Sequence, residues 1–198
     1  LIRRIGNKIF SVFDNENYYN VCDVYNLTNR DISICSLKYI NLLLNSKLIN
    51  YYYDIKFKSV KTLFPKIPIQ NLKLLPIKQI SLSEQQPFIE KAETMLQKNA
   101  ELQTIKNNFI KLLQSRYSEI NINTKLSNWN KLTFKDFSKE LEKQKIKLSI
   151  SEQAELMQYV EQEHTKANTI QQIITQTDKE IDNMVYKLYE LTDEEINV

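Results

Sequence analysis

Glycine is almost missing from this chain: Gly6 is its single example in 198 residues, where average usage is about 7%. That scarcity excludes every motif built on a side-chain-free loop, including the phosphate loop, the dinucleotide fingerprint and a glycine-rich methyl-donor loop. Pro65, Pro68, Pro76 and Pro87 each stand alone, so the Asn-Pro-Pro-aromatic motif of amino-group methylation is absent too. His164 is the only histidine. Cys22 and Cys35 have no flanking histidine at metal-ligand spacing, which argues against zinc. Both are expected as buried small hydrophobes, as suits a reducing cytosol. No apolar run reaches the roughly 18 residues of a membrane span, and the N-terminus lacks the apolar core of a signal peptide. A soluble, cytoplasmic protein is therefore expected. The chain opens on Leu1 within a strand-like segment, which suggests a piece of a longer polypeptide whose chemistry lies elsewhere. No catalytic motif and no cofactor site is expected in the piece itself.

What is present is an uneven charge. Residues 1–80 hold 12 Lys and Arg against 5 Asp and Glu, and residues 81–198 hold 15 against 19. From Ile55 to Ser83 there is no acidic residue, while Lys56, Lys58, Lys61, Lys66, Lys73 and Lys78 all fall there. An uncompensated lysine run is the footprint of a phosphate-tracking surface, although a solvated lysine-rich edge has the same composition.

Hydropathy separates two textures. Ile9–Phe13 and Tyr18–Tyr25 read as strands joined at Asp14–Asn17, a hairpin. Leu37, Ile40, Leu43, Leu44, Leu48 and Tyr51 recur at helical spacing, predicting one helix over about 34–54 with Ser33 or Ser36 as its cap. Phe64-Pro65-Lys66-Ile67-Pro68-Ile69 is expected to be extended, because its prolines break a helix and restrict the residues before them. From Ser83 a heptad seam runs Phe88, Ala92, Met95, Asn99, Leu102, Lys106, Phe109, Leu113, Arg116. A second runs Leu156, Val160, Glu163, Ala167, Ile170, Ile174, Thr177, Ile181, Met184, Leu188, Leu191, nine of its eleven positions apolar. Between them Ile120–Lys131 reads as a loop, and Thr133 or Ser127 as the cap of a short helix. The fold class is thus α+β: a small mixed α/β domain over residues 1–80, followed over 81–198 by long helices in an antiparallel hairpin. The alternative is a parallel coiled coil between two copies.

The order of elements carries a resemblance. A helix reading Tyr39-Ile40-Asn41-Leu42-Leu43-Leu44-Asn45-Ser46-Lys47-Leu48-Ile49-Asn50-Tyr51-Tyr52 is followed by Phe64-Pro65-Lys66-Ile67, by Leu74-Leu75-Pro76-Ile77, and by Gln86-Pro87-Phe88-Ile89 at the head of a long helix. Arg3-Arg4-Ile5-Gly6 suits the strand that opens such a domain. This arrangement resembles the TaqI-like C-terminal specificity domain of type IIG restriction enzymes and adenine-specific DNA methyltransferases. The two long seams also look like the spacer helices of type I specificity subunits.

The resemblance implies sequence-specific recognition of double-stranded DNA. It implies an upstream methyltransferase domain in the same polypeptide that binds S-adenosylmethionine, and in some members a nuclease that needs magnesium. On that reading Arg3, Arg4, Lys8, Arg30, Lys56, Lys58, Lys61, Lys66 and Lys73 are the candidate DNA contacts. Lysines would hold phosphates, whereas an arginine can pair bidentately with guanine. Tyr51-Tyr52-Tyr53 could stack on an extruded base, but consecutive helical positions point in different directions and at least one must pack inward. Trp129 reads as the anchor of its loop rather than a DNA wedge, and His164 as a solvent-facing helix residue. The rival reading is a coiled-coil spacer or oligomerisation module, with a homodimer formed through the long helices.

If the second seam is buried, aspartate at both Ile174 and Ile181 strips away apolar burial worth about 1.5–3 kcal/mol per side chain and adds the cost of hiding charge. The double variant is expected to lose helical circular dichroism or, in an oligomer, mass. An unchanged melting temperature and mass would contradict the seam.

Overall fold

The computed structural model describes residues 1–16, 19–29, 34–57 and 65–197. It divides into two compact units. The first joins Leu1–Leu96 to Thr177–Val198, and the second is Gln97–Gln176.

In the first unit, strand β1 (Ile2–Arg3) pairs antiparallel with β2 (Val24–Tyr25), Ile2 opposite Tyr25 and Arg3 opposite Val24. Among the described residues the expected hairpin of 9–13 with 18–25 is not formed. Residues 10–12 return to β1 instead: Arg3 N donates to Phe10 O and Val12 N to Leu1 O, both at 2.9 Å, so β1 is flanked on both sides. Beyond β1 the chain meets the Pro65–Ile67 segment, with Gly6 N on Pro65 O at 2.9 Å and Ile67 N on Arg4 O at 2.8 Å. The proline-rich segment is extended there, but Pro68 then caps a short helix, α3 (Ile69–Leu72), where continued extension was expected.

The helix expected over 34–54 is two helices, α1 (Leu37–Asn45) and α2 (Lys47–Phe57). Ser46 breaks them with an extended backbone, φ −64° and ψ 154°. Its hydroxyl donates to Leu43 O at 2.7 Å and accepts from Ile49 N at 3.3 Å, closing one helix and opening the next. Asp182 completes that start: its buried carboxylate accepts from Lys47 N at 3.0 Å and pairs with Lys47 Nζ at 2.9 Å. A carboxylate at a helix N-terminus satisfies an orphan amide and complements the helix dipole.

Ser36 is the N-cap of α1. Gln85, fully buried, holds the approach to it: Gln85 Oε1 accepts from Ser36 N at 2.8 Å while Nε2 donates to Ile34 O and Ile80 O. The core of this unit gathers Tyr39, Leu43, Ile49 and Ile67 with Phe88 and Ala92 of α4 (Leu82–Arg116) and Ile181 and Val185 of α7 (Ile150–Leu188).

The second unit holds the rest of the long helices and the segment between them. Within it α4 and α7 run antiparallel: Phe109 stacks on Tyr159 and Arg116 pairs with Glu152, so numbers rise on one helix as they fall on the other. Ala167, Ile170 and Ile174 of the second seam are buried here, as are Thr177 and Ile181 in the first unit. The segment expected as a loop contains α5 (Thr124–Ser127) and a 3-10 turn (Trp129–Lys131). Trp129 is fully buried, stacked on Phe109 at 4.1 Å, and donates from Nε1 to Lys106 O. Thr133 caps α6 (Phe134–Lys143), as expected.

Both long helices start on a reciprocal Ser/Glu box, Ser81 with Glu84 and Ser149 with Glu152. The ends of α6 and α7 show what glycine scarcity costs. Lys145 after α6 and Glu190 after α7 adopt left-handed conformations, φ 64° and 60°, that glycine normally supplies. The closing hydrogen bonds, Ile146 N to Leu141 O and Leu191 N to Tyr186 O at 3.1 Å, are made nonetheless. A short helix, α8 (Asp193–Ile196), follows.

Glu140 of α6 is the charged centre of the second unit. Lys143 lies 2.7 Å from its carboxylate, with Asn123 and Lys125 also donating to it. These donors, Lys143 foremost, hold its pKa down at about 2. A carboxyl group whose pKa is lowered on folding stabilises fully above its unfolded value, about 4.3, and loses that contribution as pH falls toward 2. The stability gap between the parent and Glu140→Gln should therefore be widest at neutral pH and close between about pH 4.5 and 2 in urea titrations. A gap independent of pH over that range would contradict the charge assignment.

Candidate nucleic-acid interface

Arg3 ends β1, Arg4 follows it, and Lys66 lies on the backbone segment that pairs alongside, since Lys66 lies opposite Ile5 and Ile67 N bonds to Arg4 O. The two arginines differ in what they have left to offer. Arg4 is partly buried, donates from Nη1 to Cys22 O at 3.0 Å and lies over the Tyr25 ring, so it pins the approach to β2. Arg3 is exposed, lies over the Phe10 ring at 5.7 Å, and has no carboxylate partner among the described residues. Its guanidinium also lies against Gly6: a Cβ there would stand 2.5 Å from Arg3 Nη2, and φ at Gly6 is 156°. The lone glycine thus makes room for the guanidinium of an exposed arginine.

Lys8 is exposed after the sheet, Lys56 in the last turn of α2, and Lys73 at the C-cap of α3. Arg30, Lys58 and Lys61 lie outside the described residues, as do Ser33, Phe64 and Tyr18. Lys78, the last of the lysine run, serves the fold. It donates to Leu188 O at 2.6 Å and pairs with Glu190 at 2.9 Å, capping α7.

The tyrosines separate as helix geometry requires. Tyr53 is buried beside Phe57, Tyr52 is partly buried, and Tyr51 is half exposed. The cysteine expectation is corrected: Cys22 is exposed and Cys35 only partly buried, because β2 is two residues long and leaves Cys22 in the turn before it. Among the described residues no group of three or more His, Cys, Asp or Glu could hold a metal, and no helix is long and apolar enough to cross a membrane. His164 is partly exposed and shares a hydrogen bond with Asn168.

Composition alone did not reveal an asparagine ladder on α1 and α2. Asn50 Oδ1 accepts from Ile9 N at 2.8 Å and Asn45 Oδ1 from Ser11 N at 3.0 Å, while Asn45 Nδ2 returns to Ser11 O. Asn41 Oδ1 takes the Ser11 hydroxyl at 2.9 Å. Side-chain amides thus stand in for a neighbouring strand along residues 9–11, which fixes β1 and Arg3 on the helices. The signal was visible as asparagines spaced four and five apart in an otherwise apolar helix. Beside this ladder a cavity of about 440 Å³ opens, lined by Phe13, Leu37, Asn41 and Leu44 among others.

Residues 81–185, more than half of the chain, match the model of a domain of unknown function, DUF8810. The chain belongs to the DUF8810 family. Residues 1–77 match the model of the TaqI-like C-terminal specificity domain, and that match supports a DNA-specificity domain of restriction and methyltransferase enzymes. Neither the curated proteins nor the solved structures contain a match. The two family matches meet between residues 77 and 81, whereas the first compact unit combines the TaqI-like part with both edges of the DUF8810 segment. The DUF8810 helices therefore supply part of the core on which the TaqI-like segment is built.

Proposed function

We propose that this chain reads a duplex DNA sequence as the target-recognition module of a restriction-modification adenine methyltransferase. The observation that carries the reading is Arg3: an exposed guanidinium held on a rigid strand by Phe10, Gly6 and the asparagine ladder, within the TaqI-like match. A preorganised arginine fork can meet O6 and N7 of a guanine in the major groove, a pairing worth about 1–3 kcal/mol of discrimination. Lys8, Lys56, Lys66 and Lys73, together with Lys58 and Lys61, supply the phosphate contacts that hold register without reading bases, and Arg4 and Arg30 are the further arginines for base or backbone contact.

Methyl transfer belongs to another domain of the same polypeptide. Gly6 offers no cradle for S-adenosylmethionine, since its amide is taken by Pro65 O and its open face by Arg3. Any magnesium-dependent nuclease likewise belongs elsewhere in the parent protein. A bacterial cytoplasmic setting accompanies this reading. The second reading, a spacer in the manner of type I specificity subunits, draws on the buried heptad seam of α7. It concerns the helices, is compatible with the first reading, and leaves a homodimer through them as an alternative assembly.

The chain should be titrated by fluorescence anisotropy against a randomised duplex pool at two salt concentrations and the bound fraction sequenced. Binding is expected to weaken steeply with salt, by about 0.9 in log–log slope per phosphate contact, and to enrich a short motif. Arg3→Lys should relax the preference at one guanine of that motif while keeping most of the salt dependence. No binding at low salt, or binding without enrichment, would overturn the reading.

A further inference from the structure

The positive charge of this protein does not sit where the division at residue 80 suggested. By compact unit, the first holds 15 cationic and 15 acidic residues, because Thr177–Val198 brings seven carboxylates to it. The second holds 12 and 9, and within it residues 97–148 hold 11 against 5. Three carboxylates of that stretch are already engaged: Glu140 takes Lys125 and Lys143, Asp136 takes Lys139, and Glu101 takes Lys98. Lys106, Lys131 and Lys135 have no carboxylate partner among the described residues.

Lys106 and Lys131 are also close enough to repel. Lys106 projects from α4 onto Asn128, its Nζ 3.0 Å from Oδ1, and Lys131 ends the 3-10 turn that begins at the next residue. Partial burial, and then Lys131, push the Lys106 ammonium below its ordinary pKa. Trp129 fixes this arrangement, since its ring is buried on Phe109 and its indole nitrogen reaches Lys106 O. Lys135 stands exposed in the first turn of α6, next to the cap at Thr133 and on the end of the helix where a cation is disfavoured by the dipole. Fold stability does not account for Lys106 and Lys131 being held close together beside a buried tryptophan, with an exposed Lys135 four residues further on and, among the described residues, no carboxylate on any of the three. A polyanion does, because a phosphate relieves the repulsion between Lys106 and Lys131 and each phosphate neutralised releases a counterion.

We propose that the second unit, within the DUF8810 segment, is a second phosphate-gripping surface for duplex DNA, with Lys106, Lys131 and Lys135 as its contacts. The lysines act as point charges and read no base, so they add affinity and leave the selected sequence unchanged. This rests on duplex DNA being the partner and extends the DNA-binding surface beyond the TaqI-like match to the helices that carried only a spacer role.

The test is the salt dependence of the full chain on one selected duplex. Lys106→Gln/Lys131→Gln/Lys135→Gln is compared with Lys166→Gln/Lys179→Gln/Lys187→Gln, a set of equal charge change on α7. The first set should lower the log–log slope by about 0.9 for each phosphate no longer neutralised, two to three in all, with the enriched motif intact. The α7 set should lower it by much less. Because Lys106 is partly buried, the exposed pair Lys131→Gln/Lys135→Gln is measured as well, expected to lower the slope by about two, with Lys131→Arg/Lys135→Arg restoring it. Equal slopes for the two sets, or an unchanged slope for the exposed pair, would overturn this proposal alone. Absence of DNA binding by the parent chain would overturn it together with the recognition reading.

Discussion

The first unit depends on an interaction that spans most of the chain length. Asp182, far along α7, provides the N-terminal cap of α2 through Lys47 N and neutralises the Lys47 side chain at the same place. A buried carboxylate is costly unless fully partnered, so this pair is satisfied only when the end of α7 and the break at Ser46 are both in place. Around it Ile181 and Val185 complete the core of Tyr39, Leu43 and Ile49. Tyr189 and Lys78 lock the same helix end, the tyrosine hydroxyl on Pro76 O and the lysine on Leu188 O. A segment that matches one family is thereby finished by residues that lie within and beyond the match to another.

Polar side chains take structural roles here that other chains leave to glycine and to longer sheets. The asparagine ladder replaces a strand, Gln85 replaces a tight loop in front of α1, and Lys145 and Glu190 accept left-handed backbone where glycine would be free of cost. Each solution pins a backbone that would otherwise be loosely held. For a recognition surface that matters, because a guanidinium discriminates between bases only if it is presented in one geometry. Arg3 is presented by such a chain of interactions.

Much of this was legible in the sequence, unevenly. The seam on α7 could be read because a period of alternating four and three survives any detail of packing, and its positions at 167, 170, 174, 177 and 181 are buried. Trp129 was legible as an anchor because a large ring in a polar stretch has few other fates. The hairpin was misread because local alternation in Ile9–Phe13 does not say which strand it will join, and β1 was the partner. The break at Ser46 was hidden by an apolar period that continues across it; the Ser46 hydroxyl and the distant Asp182 together make the break favourable. Of the candidate DNA-binding residues, Arg3, Arg4 and Lys66 lie on neighbouring backbone segments, whereas Lys78 of the lysine run turned to capping because α7 ends beside it, a proximity that sequence spacing cannot show.

The end of α7 holds the TaqI-like segment together. Amide hydrogen exchange in α1 and α2, compared between the whole chain and a chain ending at Gln176, tests this dependence most directly. Loss of protection across Leu37–Phe57 in the shortened chain, although the entire TaqI-like match remains, is the predicted result. Protection unchanged in both helices would contradict it.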